Sequence, residues 1–284
     1  MTISRTVANQ QATRMRLRPA RAAKHLFLVI VSFLSAFPFF WMIVSSTNQT
    51  IDVVRGRMYP GAFLLENFAA LTAGGQLYVA FRNSIVFTLI ITIAALLVSS
   101  LAGYGFITFR DKSKGLVLSL ILLSMMVPAA ATLIPLFRFF SQLSLVSSPI
   151  GYALPSIATA FLIFFFYQSA ESFPQEMVQS ARIDGLGELG IFFRIFVPIM
   201  RPTYAAAATI TFMNTWNSYL WPLVILQDPK RITMPIFVSL LQVGYVLDYG
   251  KIMLGVTITT LPTLIIFFLL QKSFVAGILG SLKQ

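Results

Sequence analysis

The chain has no cysteine, a single histidine and few charged residues, which make up only 11% of its 284 positions. Without cysteine no disulfide framework can form, and cysteine usage gives no indication of the compartment. A soluble domain carries about 25% charged residues, so the composition excludes an ordinary soluble protein. The one histidine, His25, stands at the edge of the first apolar run, where a flanking role is favoured over a ligand role. We therefore expect no metal site and no catalytic residue in this chain.

The chain is instead rich in apolar residues: 57% are hydrophobic, 27 are phenylalanine and the mean hydropathy is +0.81. Such values are typical of an integral membrane protein, in which each helical crossing needs about 20 predominantly apolar residues. The shorter apolar stretches after Glu66 and Arg231 carry Gly and Gln and are predicted not to span. No cleavage pattern follows the first run closely, so it is interpreted as a retained helix. The fold class predicted is all-α integral membrane, with six transmembrane helices at about 26–46, 83–107, 115–137, 149–169, 203–225 and 252–271.

The basic residues indicate how the chain is oriented. Lys and Arg number 21 against nine acids, for a formal net charge of +12. With six crossings both chain ends share one side, and that side carries 14 of the Lys and Arg residues. The positive-inside rule therefore predicts that both termini are cytoplasmic. Six of the basic residues precede the first apolar run with no aromatic residue among them, so a nucleic-acid partner is not expected. We divide the chain into a basic cytoplasmic tail (1–24), a transmembrane domain (25–275) and a cytoplasmic C-terminal tail (276–284).

One charged segment, residues 172–202, interrupts the apolar sequence between the predicted fourth and fifth helices. A polar segment of this length cannot lie in lipid. We expect it at the cytoplasmic surface, where a soluble partner can reach it.

Within this segment, turn and stop residues predict a hairpin of two short helices. Ser172 to Gln175 fits the S-x-x-Q capping box at the start of the first helix. Gly185 is predicted to end that helix in a left-handed turn. The second helix is expected at about 187–196, with Pro198 as its stop and Pro202 at the start of the next membrane helix.

The spacing of this segment resembles the EAA loop of ABC importer permeases. That pattern is E-A-A, three residues, G, nine residues, I, one residue and L-P. Here Gln179–Ala181 fills the first three places, Gly185 follows after three residues, Ile195 after nine more, and Val197–Pro198 after one more. Gln and Ser stand where the pattern has Glu and its first Ala. The glycine bend is kept.

Further blocks resemble the carbohydrate-uptake, maltose-permease-like members of that family. The form P-x-E-L-x-E-A-A-x-x-D-G is matched at Pro174, Glu176, Ala181, Asp184 and Gly185, with Met177 in place of Leu. Blocks outside the loop also fit: Gly103–Phe106, Val127–Pro128, Pro135–Leu136, Trp216–Asn217, Trp221–Leu223, Asp228–Pro229 and Gln271–Gly277.

The resemblance implies a permease subunit of a sugar importer in the cytoplasmic (inner) membrane of a prokaryote. It implies as partners a homologous permease subunit, as a heterodimer, two copies of a cytoplasmic ABC ATPase and an extracytoplasmic solute-binding protein. ATP and Mg would be bound by the ATPase, so this chain is expected to hold no cofactor. The loop would dock on the ATPase as a coupling helix, with Met177, Val178 and Ala181 filling a cleft. The coupling residues expected are Glu176, Met177, Gln179, Ser180, Ala181, Arg182, Asp184, Gly185, Ile195 and Pro198.

The predicted fifth helix is the expected place for substrate. Sugars are bound by aromatic faces and by polar groups that replace water on their hydroxyls. Polar residues in mid-membrane usually face a cavity within the protein. For Tyr219 and Trp221, anchoring at the headgroup level stays open as an alternative. The substrate-pathway residues expected are Asn214, Trp216, Asn217, Tyr219 and Trp221.

Two other functions fit the sequence less well. An ion-gradient-driven secondary transporter of a small polar solute needs buried acids or an ion site, and no Asp or Glu lies within the predicted helices. A non-transporting scaffold would not require the spacing from Gly185 to Pro198. ATP hydrolysis by this chain is not expected, because its nearest approach to a Walker A loop, Gly244 to Gly250–Lys251, is one residue too long and is followed by Ile252.

Overall fold

The computed structural model describes residues 2–109 and 113–282, and the side chains of residues 21–109 and 113–271. Within these residues every regular element is helical. The α-helices, in chain order, are α1 Thr2–Ser46, α2 Thr50–Val54, α3 Leu64–Thr72, α4 Gln76–Thr108, α5 Lys114–Ser124, α6 Ala129–Gln142, α7 Pro149–Ile157, α8 Ala160–Ala170, α9 Gln175–Ile183, α10 Glu188–Ile191, α11 Val197–Ile199, α12 Arg201–Trp216, α13 Leu220–Ile225, α14 Met234–Leu240 and α15 Tyr249–Leu282. A π-helical turn spans Phe192–Phe196 and a 3₁₀ turn spans Pro229–Arg231.

The two predicted tails continue into the neighbouring helices. The backbone of α1 is helical from Thr2, and that of α15 is helical to Leu282. The side chains of residues 1–20 and 272–284 lie outside the described residues, as does the short connection at 110–112. The tail boundaries therefore stay predictions.

Among the described residues, four helical segments are long and apolar enough to cross a membrane. They are Arg21–Ser46, Gln76–Thr108, Pro149–Ala170 and Tyr249–Gln271, and they correspond to the predicted first, second, fourth and sixth helices. The second begins earlier than predicted because Arg82, taken as a boundary, lies exposed within the first turns of α4. Long basic side chains near a helix end can extend to the membrane surface.

The predicted third helix is bent. Its two parts, Lys114–Ser124 and Ala129–Gln142, meet at an angle of 101°. The break falls just before Pro128, which has an extended backbone at the start of α6. Proline disfavours helical geometry in the residue before it, so the helix ends there. Counted as one span, this pair would be a fifth crossing.

The predicted fifth helix, at about 203–225, is divided into α12 and α13. The break covers Asn217 to Tyr219, and α12 alone has only 16 residues. Pro222 has no N–H to offer the carbonyl of Ser218, so a continuous helix would lose a backbone bond at this point. The number of six crossings therefore stays a prediction.

The chain divides into two compact units: residues 1–69 with 248–257, and residues 70–247 with 258–284. The first unit closes around two buried asparagines. The Nδ2 of Asn67 donates to the carbonyl oxygens of Ser46 at 2.9 Å and Asn48 at 3.0 Å. The Nδ2 of Asn48 donates to the carbonyl oxygen of Tyr59 at 3.1 Å. The two bonds from Asn67 satisfy carbonyl groups where α1 ends.

In the second unit, α8 and α12 pack on α4. Ala95 of α4, Phe166 of α8 and Ala207 of α12 are fully buried in one cluster. Gly103 brings α4 and α8 close together, because a Cβ at this position would lie 2.8 Å from the Cβ of Phe166 and 3.0 Å from the backbone N of Tyr167. Small residues allow such close approach between membrane helices.

Candidate functional site

The segment predicted to form a hairpin of two short helices does so, but its first helix begins later than expected. The first helix, α9, starts at Gln175, and Pro174 occupies the N-cap with an extended backbone. Ser172 does not cap this helix, since its hydroxyl donates to the carbonyl oxygen of Ser169 at 3.1 Å. The predicted capping box is therefore wrong. Phe173, which precedes the proline, is disfavoured in helical geometry, and this delays the helix by a residue or two.

The predicted left-handed turn is confirmed at Gly185, where φ is +83°. The N–H of Leu186 donates to the carbonyl of Ala181 at 3.0 Å, and the N–H of Gly185 to that of Arg182 at 3.1 Å. This pair of bonds is the Schellman motif, in which the last carbonyls of a helix are satisfied by the two residues after its C-cap. The turn reverses the chain and starts the second arm.

The second arm extends past its predicted stop. It consists of α10, the π-helical turn at Phe192–Phe196 and α11, and only then does α12 begin at Arg201. Pro198 therefore does not end the helix, and that prediction is wrong. Proline is tolerated in the first turn of a helix, where its missing N–H removes no bond. The π turn restarts the α-helical pattern at Val197 and places Pro198 in that position. We call residues 175–199 the hairpin.

The inner face of the hairpin is apolar and buried against α4. Val178 and Ala181 of α9 pack in one cluster with Phe192 and Phe196 of the π turn and with Tyr104 of α4. Val178 thus packs inside the protein instead of facing outwards into a partner's cleft. Ile183, in contrast, is 86% exposed and Met177 is 44% exposed.

A carboxylate joins the hairpin to α4. Glu188 accepts a hydrogen bond from the Nε of Arg182 at 2.7 Å on one oxygen and from the hydroxyl of Tyr104 at 2.9 Å on the other. The hydrogen bond from Arg182 lowers the pKa of Glu188 below its usual value, and the bond from Tyr104 acts in the same direction. Pairing with Glu188 raises the pKa of Arg182. The pair is therefore ionised at neutral pH.

An open cavity of about 570 Å³ lies between the two arms of the hairpin. Seven of the ten predicted coupling residues line it: Glu176, Met177, Ser180, Ala181, Asp184, Ile195 and Pro198. Gln179, Arg182 and Gly185 lie outside this lining. Sequence reasoning missed Leu186, Arg194 and Ile199 in the cavity wall. It also missed the bridge through Glu188, for which the only signal was a charge of opposite sign to Arg182 beyond the glycine turn.

Two of the predicted pathway residues, Trp216 and Asn217, use their N–H groups in hydrogen bonds to backbone carbonyls of the protein. Trp216 is 1% exposed, and its indole N–H donates to the carbonyl of Thr259 at 2.9 Å. The Nδ2 of Asn217 donates to the carbonyl of Met213 at 2.8 Å, within its own helix. Trp216 therefore packs inside the protein, and Asn217 caps the end of α12.

The other three line two adjoining cavities. Tyr219 and Trp221 border one of about 550 Å³, and Asn214 borders one of about 120 Å³. The two cavities share Ser156 and Ser218. The hydroxyl groups that line them were not singled out from the sequence: Thr132, Ser156, Thr159, Thr211, Thr215 and Ser218.

These cavities lie where membrane helices are interrupted. Their linings include residues beside the α7–α8 break near Thr159 and the α12–α13 break near Ser218. A helix break leaves backbone polar groups without intrahelical partners, which is tolerated at membrane depth where they face protein or a water-filled space.

The family model for the inner membrane component of binding-protein-dependent transport systems matches residues 108–279. Over 271 residues the chain is 46% identical to the lactose transport system permease protein LacG of Rhizobium radiobacter, covering 95% of this chain and 99% of that protein. It is 35% identical to the arabinooligosaccharides transport system permease protein AraQ of Bacillus subtilis, covering 93% and 96%.

A third relative, the sn-glycerol-3-phosphate transport system permease protein UgpE of Yersinia pestis, is 30% identical over 91% of this chain and 96% of its own. The fold is similar to that in the crystal structure of a bacterial ABC transporter involved in the import of the acidic polysaccharide alginate. That match has a TM-score of 0.82 at 19% identity and covers 90% of this chain and 97% of the other. With a family model matched over more than half its length and relatives matched over nearly all of it, the chain belongs to the family of binding-protein-dependent transport system inner membrane components.

Proposed function

We propose that this chain is the permease subunit of an ATP-driven importer of a sugar or oligosaccharide, and that its hairpin docks on a separate ATPase. The chain forms half of a pore beside a homologous but distinct permease subunit. Two copies of a cytoplasmic ATPase bind ATP and Mg, and an extracytoplasmic binding protein delivers the substrate. The observation that carries the proposal is the hairpin, because it is a helical element packed against α4 with the spacing of the family's coupling loop.

The outer surface of the hairpin supports docking on a soluble partner. Ile183, Leu189 and Phe193 are large apolar side chains that the hairpin leaves exposed. Clustered exposed apolar residues mark interaction surfaces. Glu176 and Asp184 line the cavity between the two arms and supply charges that favour one orientation of the partner.

The proposed arrangement in the membrane has six crossings, with the hairpin and both termini in the cytoplasm. The bent α5–α6 pair is the third crossing, and the divided α12–α13 pair is the fifth. The excess of Lys and Arg on the hairpin side supports this orientation.

The two adjoining cavities are the proposed substrate path. Sugar recognition needs hydroxyl or amide groups beside aromatic faces. Asn214 supplies an amide, Tyr219 and Trp221 supply rings, and Ser156 and Ser218 connect the two spaces. The indole N–H of Trp221 is bonded to the carbonyl of Tyr152 at 3.2 Å, so its contribution would be the ring face. Trp216 and Asn217, placed elsewhere, have structural roles in this proposal.

The proposal is tested by reconstituting the complete transporter in proteoliposomes and measuring uptake of radiolabelled lactose and arabinooligosaccharides. We expect uptake with ATP inside the vesicles, and none when the ATPase subunit is left out. A second control replaces the catalytic glutamate of the ATPase subunit and keeps the assembly intact. Uptake that continues without the ATPase under a proton or sodium gradient would overturn the proposal and favour a secondary transporter.

A further inference from the structure

The carboxylate of Glu188 is the meeting point of three helices. Glu188 itself begins α10. One of its oxygens accepts from Arg182 in the last turn of α9, and the other from Tyr104 near the end of α4. Hydrogen bonds to an ionised acceptor are shorter and about twice as strong as neutral ones. A single side chain therefore ties both arms of the hairpin to each other and to a membrane helix.

The ring of Tyr104 adds apolar contacts to the hydrogen bond that its hydroxyl makes with Glu188. Tyr104 is 4% exposed and meets Phe192 and Phe196 edge-on, with ring centroids 5.5 Å and 5.1 Å apart. Both phenylalanines belong to the π turn of the second arm. Contacts between aromatic rings allow α4 and the hairpin to slide past each other, because they do not depend on one particular pair of atoms. The hydrogen bond from the hydroxyl, in contrast, fixes a single register between α4 and the hairpin.

The same helix, α4, is also the one on which α8 and α12 pack. Phe166 of α8 and Ala207 of α12 are buried against the middle of α4. Asn214 and Ser218 follow at the end of α12 and line the cavities. A displacement of α4 is thus passed on through packed helices toward the proposed substrate path.

We propose that Glu188 is a positioning residue that locks the hairpin to α4 through Tyr104 and Arg182, so that movement of the hairpin is transmitted to the membrane helices. This inference rests on the proposed function, in which the hairpin receives the movement of the ATPase. Glu188 touches neither substrate nor nucleotide in this role. Its loss loosens the transmission of movement while leaving the hairpin folded on its apolar face.

The test compares sugar transport with ATP hydrolysis in the complete reconstituted transporter. Tyr104→Phe keeps the ring packing and removes only the hydroxyl, and Glu188→Ala removes the whole bridge. We expect ATP hydrolysis to persist in both variants while the sugar transported per ATP falls about tenfold, the size of effect of losing one charge-assisted hydrogen bond. Glu188→Gln, which keeps the shape and one acceptor, should restore part of the coupling.

A matched pair of controls lies on the neighbouring helix α8. Glu171 accepts hydrogen bonds from Tyr167 and Gln168, so this carboxylate bridges only residues close to it in sequence. Glu171→Ala and Tyr167→Phe make the same chemical changes without releasing the hairpin from α4. Their transport per ATP should stay within about twofold of that of the unmodified protein.

Two outcomes would overturn the inference, and a separate measurement tests the proposed function. An equal fall in transport and hydrolysis, in step with the amount of assembled complex, would show a merely structural role and overturn it. Additive effects in the Tyr104→Phe, Glu188→Ala double variant would also overturn it, because residues of one bridge should be non-additive. Copurification of the ATPase with the unmodified permease is measured separately, and its absence would contradict the proposed function itself.

Discussion

The indole N–H of Trp216 donates a hydrogen bond to the backbone carbonyl of Thr259, with 2.9 Å between the nitrogen and the oxygen. This bond joins the end of α12 to α15. The indole also stacks on Phe212 at 5.9 Å between ring centroids and meets Phe81 edge-on at 6.0 Å. A fully buried ring with three such neighbours stabilises the packing of α12.

Trp216→Phe should therefore lower stability and leave substrate affinity unchanged. The smaller ring leaves the carbonyl of Thr259 without its indole donor and opens a small cavity, at a cost of about 1–3 kcal/mol. The midpoint of thermal unfolding of the purified transporter should fall. Trp221→Phe is the comparison, since the hydrogen bond of Trp221 is longer and its side chain is only half-buried, and its loss of stability should be smaller. An altered KM at an unchanged midpoint would instead place Trp216 in the substrate path.

The contact between α4 and α8 gives a prediction with an internal control. A Cβ at Gly103 would lie 2.8 Å from Phe166, whereas a Cβ at Gly105 would meet nothing within 4 Å. Gly103→Ala should push the two helices apart and cost about 1–3 kcal/mol. Gly105→Ala should stabilise α4 by about 0.5–1 kcal/mol, because alanine is the better helix former. Thermal unfolding of the two variants in detergent checks both signs, and equal midpoints would contradict the close approach.

The sequence predicted the apolar spans well because charge and length alone decide whether a helix can cross lipid. It predicted the left-handed turn at Gly185 because a glycine after a helix has few other uses. The sequence-based prediction failed where the course of a helix depends on local backbone geometry. A charge-free window does not reveal the bend before Pro128 or the break at Asn217 that divides the predicted fifth helix.

In the candidate site, spacing identified the hairpin but not the direction of its side chains. Val178 was expected to face a partner and instead packs beneath the hairpin, since the apolar face of an amphipathic helix turns to the nearest apolar surface. The bridge from Glu188 to Tyr104 joins residues 84 positions apart in sequence. No local pattern connects them, because the contact depends on how α4 and the hairpin pack.

The glycine turn of the hairpin should be sensitive to substitution through its backbone alone. At Gly185 φ is +83°, yet a Cβ there would meet nothing within 4 Å. Gly185→Ala should thus cost about 1–2 kcal/mol of local strain without any clash, and valine should cost more because it is β-branched. The expected result is ATP hydrolysis with reduced sugar uptake in proteoliposomes, as the two arms lose their fixed angle.

Gly190→Ala is the matched control, on the same hairpin. A Cβ at Gly190 would be 3.6 Å from Leu186, an ordinary contact, and its backbone is helical. Alanine there should preserve both hydrolysis and uptake. Normal coupled uptake by Gly185→Val would contradict the role of the turn, whereas loss of coupling in both variants would point to any added bulk on the hairpin.

The two asparagines of the α12–α13 region should differ in their effect on transport. Asn214 borders the smaller cavity, whose lining also includes Thr159 and Thr211. Asn217 uses its amide to bond the carbonyl of Met213. Asn214→Ala should raise the KM for sugar uptake about threefold to tenfold, the effect of losing one hydrogen bond to a neutral hydroxyl. Asn217→Ala should change KM by less than about twofold and lower the unfolding midpoint slightly.

The comparison is sharp because both variants remove the same amide group three residues apart. Uptake is measured over a range of sugar concentrations, with the amount of assembled transporter determined in the same vesicles. A raised KM for Asn217→Ala and an unchanged one for Asn214→Ala would show that the substrate passes on the opposite side of the helix break. The two cavities that share Ser156 and Ser218 would then lie outside the substrate path. The path would have to lie along the face of α12 that carries Asn217.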